Sequence, residues 1–250
     1  MPEDDTGELD DLKPLAKSMA ASARKAGVRA LGSGRWLAEW VVDNAPRIPV
    51  RDATTLSRHH DGKTGDTLAA ALILAASRAS AGVGAATGAL AAAEELMPPA
   101  WLALPLEVVV ETGVVAAIEL KLVAELHEVY GMRVPGTGAD RGMLLVRSWA
   151  ERRGLAPGAG AGSGAAGGDA TVTRAVRDEV VRLAGRRLVR RMGRNVTSLA
   201  PMLLGAVAGA SLNRRATRTL GEAMARDLRD LSRRDLNLRD PNLRDEPGGP

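Results

Sequence analysis

With 250 residues, 34 Lys and Arg against 30 Asp and Glu, and 45% hydrophobic residues, the chain can bury a core in one domain or two small ones. It has no Cys, which excludes disulfide frameworks, Cys-ligated zinc, iron–sulfur clusters and Cys nucleophiles. Three His speak against a His-based metal or acid–base site, and the few aromatics (Trp36, Trp40, Trp101, Tyr130, Trp149) cannot build a base-stacking surface.

Charge is arranged in blocks. Residues 1–12 carry six acids and no base, and residues 13–51 eight bases and two acids. Residues 66–131 carry two bases and eight acids. Residues 171–194 hold eight Arg against two acids, and 213–234 seven Arg against three. An acidic, apolar centre thus lies between basic segments, an arrangement that suits intramolecular neutralisation and an anionic partner equally.

In chain order, Met1 to Asp11 is acidic without an apolar core, so it reads as a disordered tail rather than a signal or transit peptide. Leu12 to Asp43 has helical periodicity, interrupted near Gly32-Ser33-Gly34. Trp36 and Trp40 share one helix face, either a packing face or an interfacial anchor beside Arg29, Arg35 and Arg47. Gly62-Lys63-Thr64 lacks the upstream glycine and strand of a phosphate loop and is expected to be a turn. Asp66 is placed as the N-cap of a small-residue helix from Thr67 to about Leu96, in which Arg78 is the only charge up to Ala93.

Pro98 and Pro99 break that helix, and a second runs from Trp101 to Gly131. There Glu107, Glu111, Lys121, Glu125 and Glu128 fall within about 100° of arc and Glu119 lies outside it. So narrow a polar stripe implies a mostly buried helix, the stripe itself being solvated or engaged in helix–helix salt bridges. Thr137 to Asp140 has capping-box spacing and opens a helix to Arg153. The Gly/Ala-rich stretch 154–170 reads as a flexible loop. Helical periodicity resumes at Thr171 with Arg186, Arg187, Arg190 and Arg191 off the apolar face. Residues 195–213 carry no charge, a charged helix follows to about Arg234, and 237–250 read as a disordered tail.

No segment alternates with period two. The expected fold is all-α: a compact bundle of roughly six to eight helices in one domain, 12–236, with disordered termini. No catalytic constellation emerges. His59, His60 and Asp61 are adjacent and diverge, His127 and Glu128 likewise, and Glu111 and Glu125 are about 21 Å apart along one helix. The chain is therefore expected to be non-enzymatic, with no cofactor, no metal, no small-molecule substrate and no nucleic acid in its leading reading. Small residues give the more telling spacing: Ser80, Gly84 and Gly88 at i, i+4, i+8, and Gly205 and Gly209 as Gly-x-x-x-Gly. Such faces let helices approach closely, in bundles and in membranes. The 195–213 run approaches the length of a membrane span, and the 67–93 run exceeds it but contains Arg78.

Two stretches carry a family likeness. Ile118-Glu-Leu-Lys-Leu-Val-Ala-Glu-Leu-His-Glu-Val-Tyr-Gly131 and Ser198-Leu-Ala-Pro-Met-Leu-Leu-Gly-Ala-Val-Ala-Gly-Ala-Ser-Leu-Asn-Arg-Arg215, with the small-residue helix before them, resemble the EcsC-type family. The resemblance spans roughly 65–230. It implies a helical protein linked with membranes and with transporter-type, membrane-bound partners, on the cytoplasmic side. This chain departs from the pattern in its Ala- and Glu-rich apolar helices and in Pro105-Leu106-Glu107 where the family often has Asp-Leu-Pro. Two functions follow: association with an anionic membrane surface or a membrane protein, with Arg186, Arg187, Arg190 and Arg191 meeting the headgroups, or a soluble interaction protein whose Arg face binds an acidic protein or nucleic acid.

Overall fold

The computed structural model describes residues 12–23, 25, 35–94, 104–136, 138–152 and 200–239. All regular structure among them is helical, as the sequence leads one to expect. Helix α1 covers residues 12–23, α2 Arg35–Asn44, α3 Ala53–His59, α4 Gly65–Glu94, α5 Leu104–Val129, α6 Gly138–Arg152 and α7 Ala200–Arg239, with a 3-10 turn at Ala45–Arg47 after α2.

Helix α5 is the hub. It packs against α2, α3, α4, α6 and α7, and from Val115 to Leu126 every residue is buried. Its ends follow from local chemistry. Gly131 takes φ +66, and the amides of Gly131 and Met132 close back on the carbonyls of Glu128 and His127 at 3.2 and 2.9 Å. That is a Schellman closure, which needs a residue without a side chain in the left-handed region. Helix α3 is capped by Asp52, whose carboxylate accepts from the Thr55 amide at 2.9 Å and from its hydroxyl at 3.0 Å. The Thr55 amide bond, with the hydroxyl bond second, holds Asp52 below the usual carboxylate range.

Trp36 and Trp40 form a packing face: Trp40 is buried and Trp36 lies against the same core cluster. Asp66 is not an N-cap. The helix already begins at Gly65, with the Thr64 carbonyl accepting from the Leu68 amide and the Thr67 hydroxyl. Asp66 stands in the first turn, and its side chain reaches other helices. The turn before α4 includes Asp61 at φ 54 and Gly62 at φ 75, the latter within the Gly62-Lys63-Thr64 stretch read as a turn. From Ala200 onward, the uncharged run and the charged helix after it are parts of one continuous helix, α7, which runs past 236 to Arg239.

The most extensive pairing joins α4 and α7, antiparallel. Gly84 meets Gly209, Ile73 meets Gly221 and Asp66 meets Arg229, so residue numbers facing one another sum to about 294 along the interface. At the first of these points the backbones touch. A Cβ built on Gly84 would stand 2.7 Å from the Gly209 carbonyl oxygen, and one on Gly209 would stand 2.6 Å from that of Gly84. Neither position tolerates a side chain without the two helices moving apart.

Gly209→Ala should therefore destabilise the fold by about 1–3 kcal/mol through overpacking. Gly82→Ala, on the same helix as Gly84 but with nothing within 4 Å of its Cβ position, should be stabilising by up to about 1 kcal/mol on helix propensity. Urea midpoints of the two variants should move in opposite directions. A stabilised Gly209→Ala protein would contradict the crossing.

Candidate functional site

From Glu111 to Glu128 the polar stripe of α5 is buried, not solvated, and this corrects the solvent-exposed alternative drawn from the helical wheel; the side chain of Glu107 lies outside the described residues. Glu119 and Lys121 are 0% exposed, Glu125 1%, Glu111 7% and Glu128 9%. A charge removed from water survives only when partners replace the water, and neighbouring helices supply them. Asn213 of α7 donates through Nδ2 to Glu111 Oε1 at 3.0 Å. Lys121 Nζ lies 2.9 Å from Glu125 Oε1, one turn along the same helix. Glu128 accepts from Arg133 Nη2 at 3.0 Å on one oxygen and from Arg141 Nη2 at 2.9 Å on the other.

Glu119, the residue off the stripe, is the junction. Trp149 Nε1 of α6 donates to its Oε2 at 2.9 Å, and Thr217 Oγ1 of α7 lies 2.9 Å from its Oε1. Thr217 Oγ1 is also 3.0 Å from Ser80 Oγ of α4. Having one proton, that hydroxyl donates to one neighbour and accepts from the other. One carboxylate thus ties α5 to α6 and α7 directly, and to α4 through Thr217.

A second polar cluster sits at the other end of the α4–α7 pair. Asp66 Oδ1 accepts from the Tyr130 hydroxyl at 2.9 Å and from Arg229 Nε at 2.8 Å. Burial, then the bond to Asp66, pushes the Tyr130 hydroxyl above its ordinary value; the bonds to Tyr130 and Asp66 raise Arg229. The cluster closes one end of a cleft of about 450 Å³ between the two helices. Asp66, Ala69, Ala70, Ile73 and Leu74 of α4 form one wall, and Arg218, Glu222, Ala225, Arg226 and Arg229 of α7 the other. Arg218 is paired with Glu222 at 2.7 Å. Arg226 donates through Nε to the Glu222 carbonyl at 3.3 Å and, among the described residues, has no carboxylate partner.

The outer side of α7 is a basic ridge. Taking Asn213 as the centre of the buried face, Arg214, Arg215, Arg218, Arg226, Arg229 and Arg233 lie within about 120° of arc on the opposite side. The acid among them is Glu222. Five of these Arg are exposed, and Arg229 is partly so. Farther along, Leu231 and Leu238 continue the buried stripe of Asn213, Leu220, Met224 and Leu228 beyond the first turn of α4, where they are 46% and 69% exposed.

Arg186, Arg187, Arg190 and Arg191 lie outside the described residues. Of the small-residue positions, Ser80 and Gly84 are buried against α7, and Gly209 is in contact with Gly84. Gly88 and Gly205 belong to α4 and α7, but their packing lies outside the described residues. Among the described residues no group of three or more His, Asp or Glu is placed to hold a metal. Helix α4 includes a stretch, Gly65–Ala86, long and apolar enough to cross a membrane; over half of its most apolar window, 56%, is buried against protein. The Asp66–Tyr130–Arg229 cluster has no signature in local spacing, since its members are 64 and 163 residues apart; the run of Arg on one face of residues 213–234 is the signal that could have drawn attention to it. In comparisons with family models, curated proteins and solved structures, the chain finds no match.

Two predictions follow from the buried charges. Lys121→Met should cost up to about 3–5 kcal/mol because it removes the cation 2.9 Å from Glu125 in the core, and adding Glu125→Leu should recover part of that loss. A double variant less stable than the single one would show that the pair is not the determining contact. His127 gives the second. Burial holds it below the ordinary 6.5; the bond from Nδ1 to the Val123 carbonyl opposes this, Arg141 reinforces it and Glu128 opposes it. A folded-state value below the unfolded one means that the unfolded chain takes the proton first as pH falls. The His127 contribution is thus complete above the ordinary value and lost as pH drops through the folded one. Between about pH 7 and pH 5, unfolding free energy should fall more steeply in the native protein than in His127→Gln. Parallel pH profiles would refute this assignment.

Proposed function

We propose that this chain is a non-enzymatic helical protein of the EcsC type that docks on an anionic membrane surface at the cytoplasmic side. The observation that carries the reading is the ridge of α7: Arg214, Arg215 and Arg233 are exposed on one side of the helix, and Arg218, Arg226 and Arg229 border it at the cleft with α4, with Glu222 as the acid among them. Arg214, Arg215 and Arg233 have no ion-pair partner among the described residues, so the ridge is not neutralised by its own fold there. Near a surface of acidic lipids each Arg contributes about 1 kcal/mol. Three or four acting together therefore suffice for reversible association. Leu236, exposed on the same side of the helix as the ridge, adds an apolar group that an interface can take up. The sequence likeness supports the same setting, and the reading gives the basic segment with Arg186, Arg187, Arg190 and Arg191 the same attraction to acidic headgroups.

The test is co-sedimentation with vesicles of phosphatidylglycerol and phosphatidylcholine against vesicles of phosphatidylcholine alone. Binding should need the acidic lipid and weaken as salt shortens the reach of surface charge to below about 8 Å. Replacing Arg214, Arg215 and Arg233 by Gln should reduce it at least about tenfold while leaving the circular dichroism melt unchanged, since each contributes about 1 kcal/mol. Undiminished binding by the triple variant, or equal binding to both kinds of vesicle, would reject the reading.

A further inference from the structure

We infer that the cleft between α4 and α7 is a site for one lipid molecule with an anionic phosphate headgroup, the phosphate on Arg226 and an acyl chain along the wall formed by Ala69, Ala70, Ile73 and Leu74. The inference rests on the membrane reading and makes it specific. Three observations support it. First, the cleft's volume of about 450 Å³ lies in the range of small-molecule sites, and such sites combine apolar walls with a few polar groups that fix orientation. Here the α4 wall beyond Asp66 is entirely Ala, Ile and Leu, and Leu74 is 37% exposed within it.

Second, the cations on the opposite wall are not equivalent. Arg218 is held by Glu222 and Arg229 by Asp66, at 2.7 and 2.8 Å. Arg226 stands between these pairs with only a backbone carbonyl as acceptor among the described residues. A guanidinium flanked by two anchored ion pairs is a ready partner for a phosphate, which it can meet through two parallel N–H bonds. Third, the shape is a groove rather than a pit. Asp66 to Leu74 spans about 12 Å at 1.5 Å per residue. The Tyr130 hydroxyl, committed to Asp66, closes one end, so a bound chain would lie along the helices with its headgroup at the basic ridge.

The site can be separated from general attraction to a charged surface by using a lipid that forms no surface. The probe is dihexanoyl phosphatidic acid below its aggregation threshold, titrated into the full chain by calorimetry. Dihexanoyl phosphatidylcholine and inorganic phosphate are the comparison ligands. Saturable binding of one phosphatidic acid per chain is expected, with both comparison ligands weaker by at least about tenfold. Two variants test the two halves. Arg226→Gln removes the phosphate partner, and Ala70→Trp fills the groove from an exposed position without changing any charge. Each should weaken phosphatidic acid by at least about tenfold with an unchanged thermal melt.

Phosphate binding as tightly as the lipid would overturn the apolar half of the inference, and phosphatidylcholine binding equally would overturn the ionic half. Unchanged affinity in Ala70→Trp would place any binding elsewhere and end it. Because Ala70→Trp keeps every Arg, its vesicle binding should persist. Loss of monomeric lipid binding with vesicle binding intact in the native chain would therefore reject the cleft and leave the ridge standing.

Discussion

The contact on which the rest depends is the meeting of two backbones at Gly84 and Gly209. Because neither residue has a side chain, α4 and α7 come close enough for Asn213 and Thr217, one and two turns farther along α7, to reach past α4 to α5. A Cβ on Gly84 would stand 2.7 Å from Asn213 Nδ2, so the same small residue makes room for the amide that satisfies Glu111. Spread the two helices by the width of a methyl group and the bonds to Glu111 and Glu119 are strained together. The small-residue face and the buried carboxylates are thus one device. The first sets a distance, and the second uses it.

That coupling explains how an acidic helix serves as the hub of the bundle. Among its described residues helix α5 buries five ionisable side chains, Glu111, Glu119, Lys121, Glu125 and Glu128, and they are partnered from different directions: α7 for Glu111, α6 and α7 for Glu119, α5 itself for the Lys121–Glu125 pair, Arg133 and α6 for Glu128. Apolar packing alone would let one smooth helix slide or rotate on another. Polar groups with few acceptable partners do not allow that, because each misalignment leaves a buried charge exposed to nothing. Register is therefore set by the seam, while most of the buried area comes from Leu, Ile, Val and Ala.

What the sequence made legible was what is encoded locally. Period and composition were enough for an all-helical fold, and the four-residue spacing of Ser80 and Gly84 falls on the face that meets α7. Local rules also misled where a distant partner intervened. Asp66 has the identity and position of a cap, but Tyr130 and Arg229 claim its carboxylate. The stripe on α5 left a solvated face and helix–helix salt bridges both open, and Asn213 and Arg141 engage it from parts of the chain that periodicity cannot associate with it. Glu119 was singled out on the wheel only as an exception. It is the exception because it points between α6 and α7, where Trp149 and Thr217 wait. The basic ridge was countable as seven Arg among residues 213–234, but its outward direction depends on knowing which face of α7 is buried.

The distances along the chain between these partners carry a consequence for biosynthesis. The bonds from α7 to α4 and α5 join residues 98, 102, 137 and 163 positions apart. A chain emerging from the ribosome in order exposes α4 and α5 long before α7 exists, with the Asn213 bond to Glu111 and the Thr217 bond to Glu119 not yet made and the face around Gly84 bare. At about 5–20 residues per second, the interval between completing α5 and supplying Thr217 lasts seconds, far longer than helix formation itself. The nascent protein must hold its most apolar helices without their closing partner for that time, so α7 acts as the clasp whose arrival commits the whole bundle.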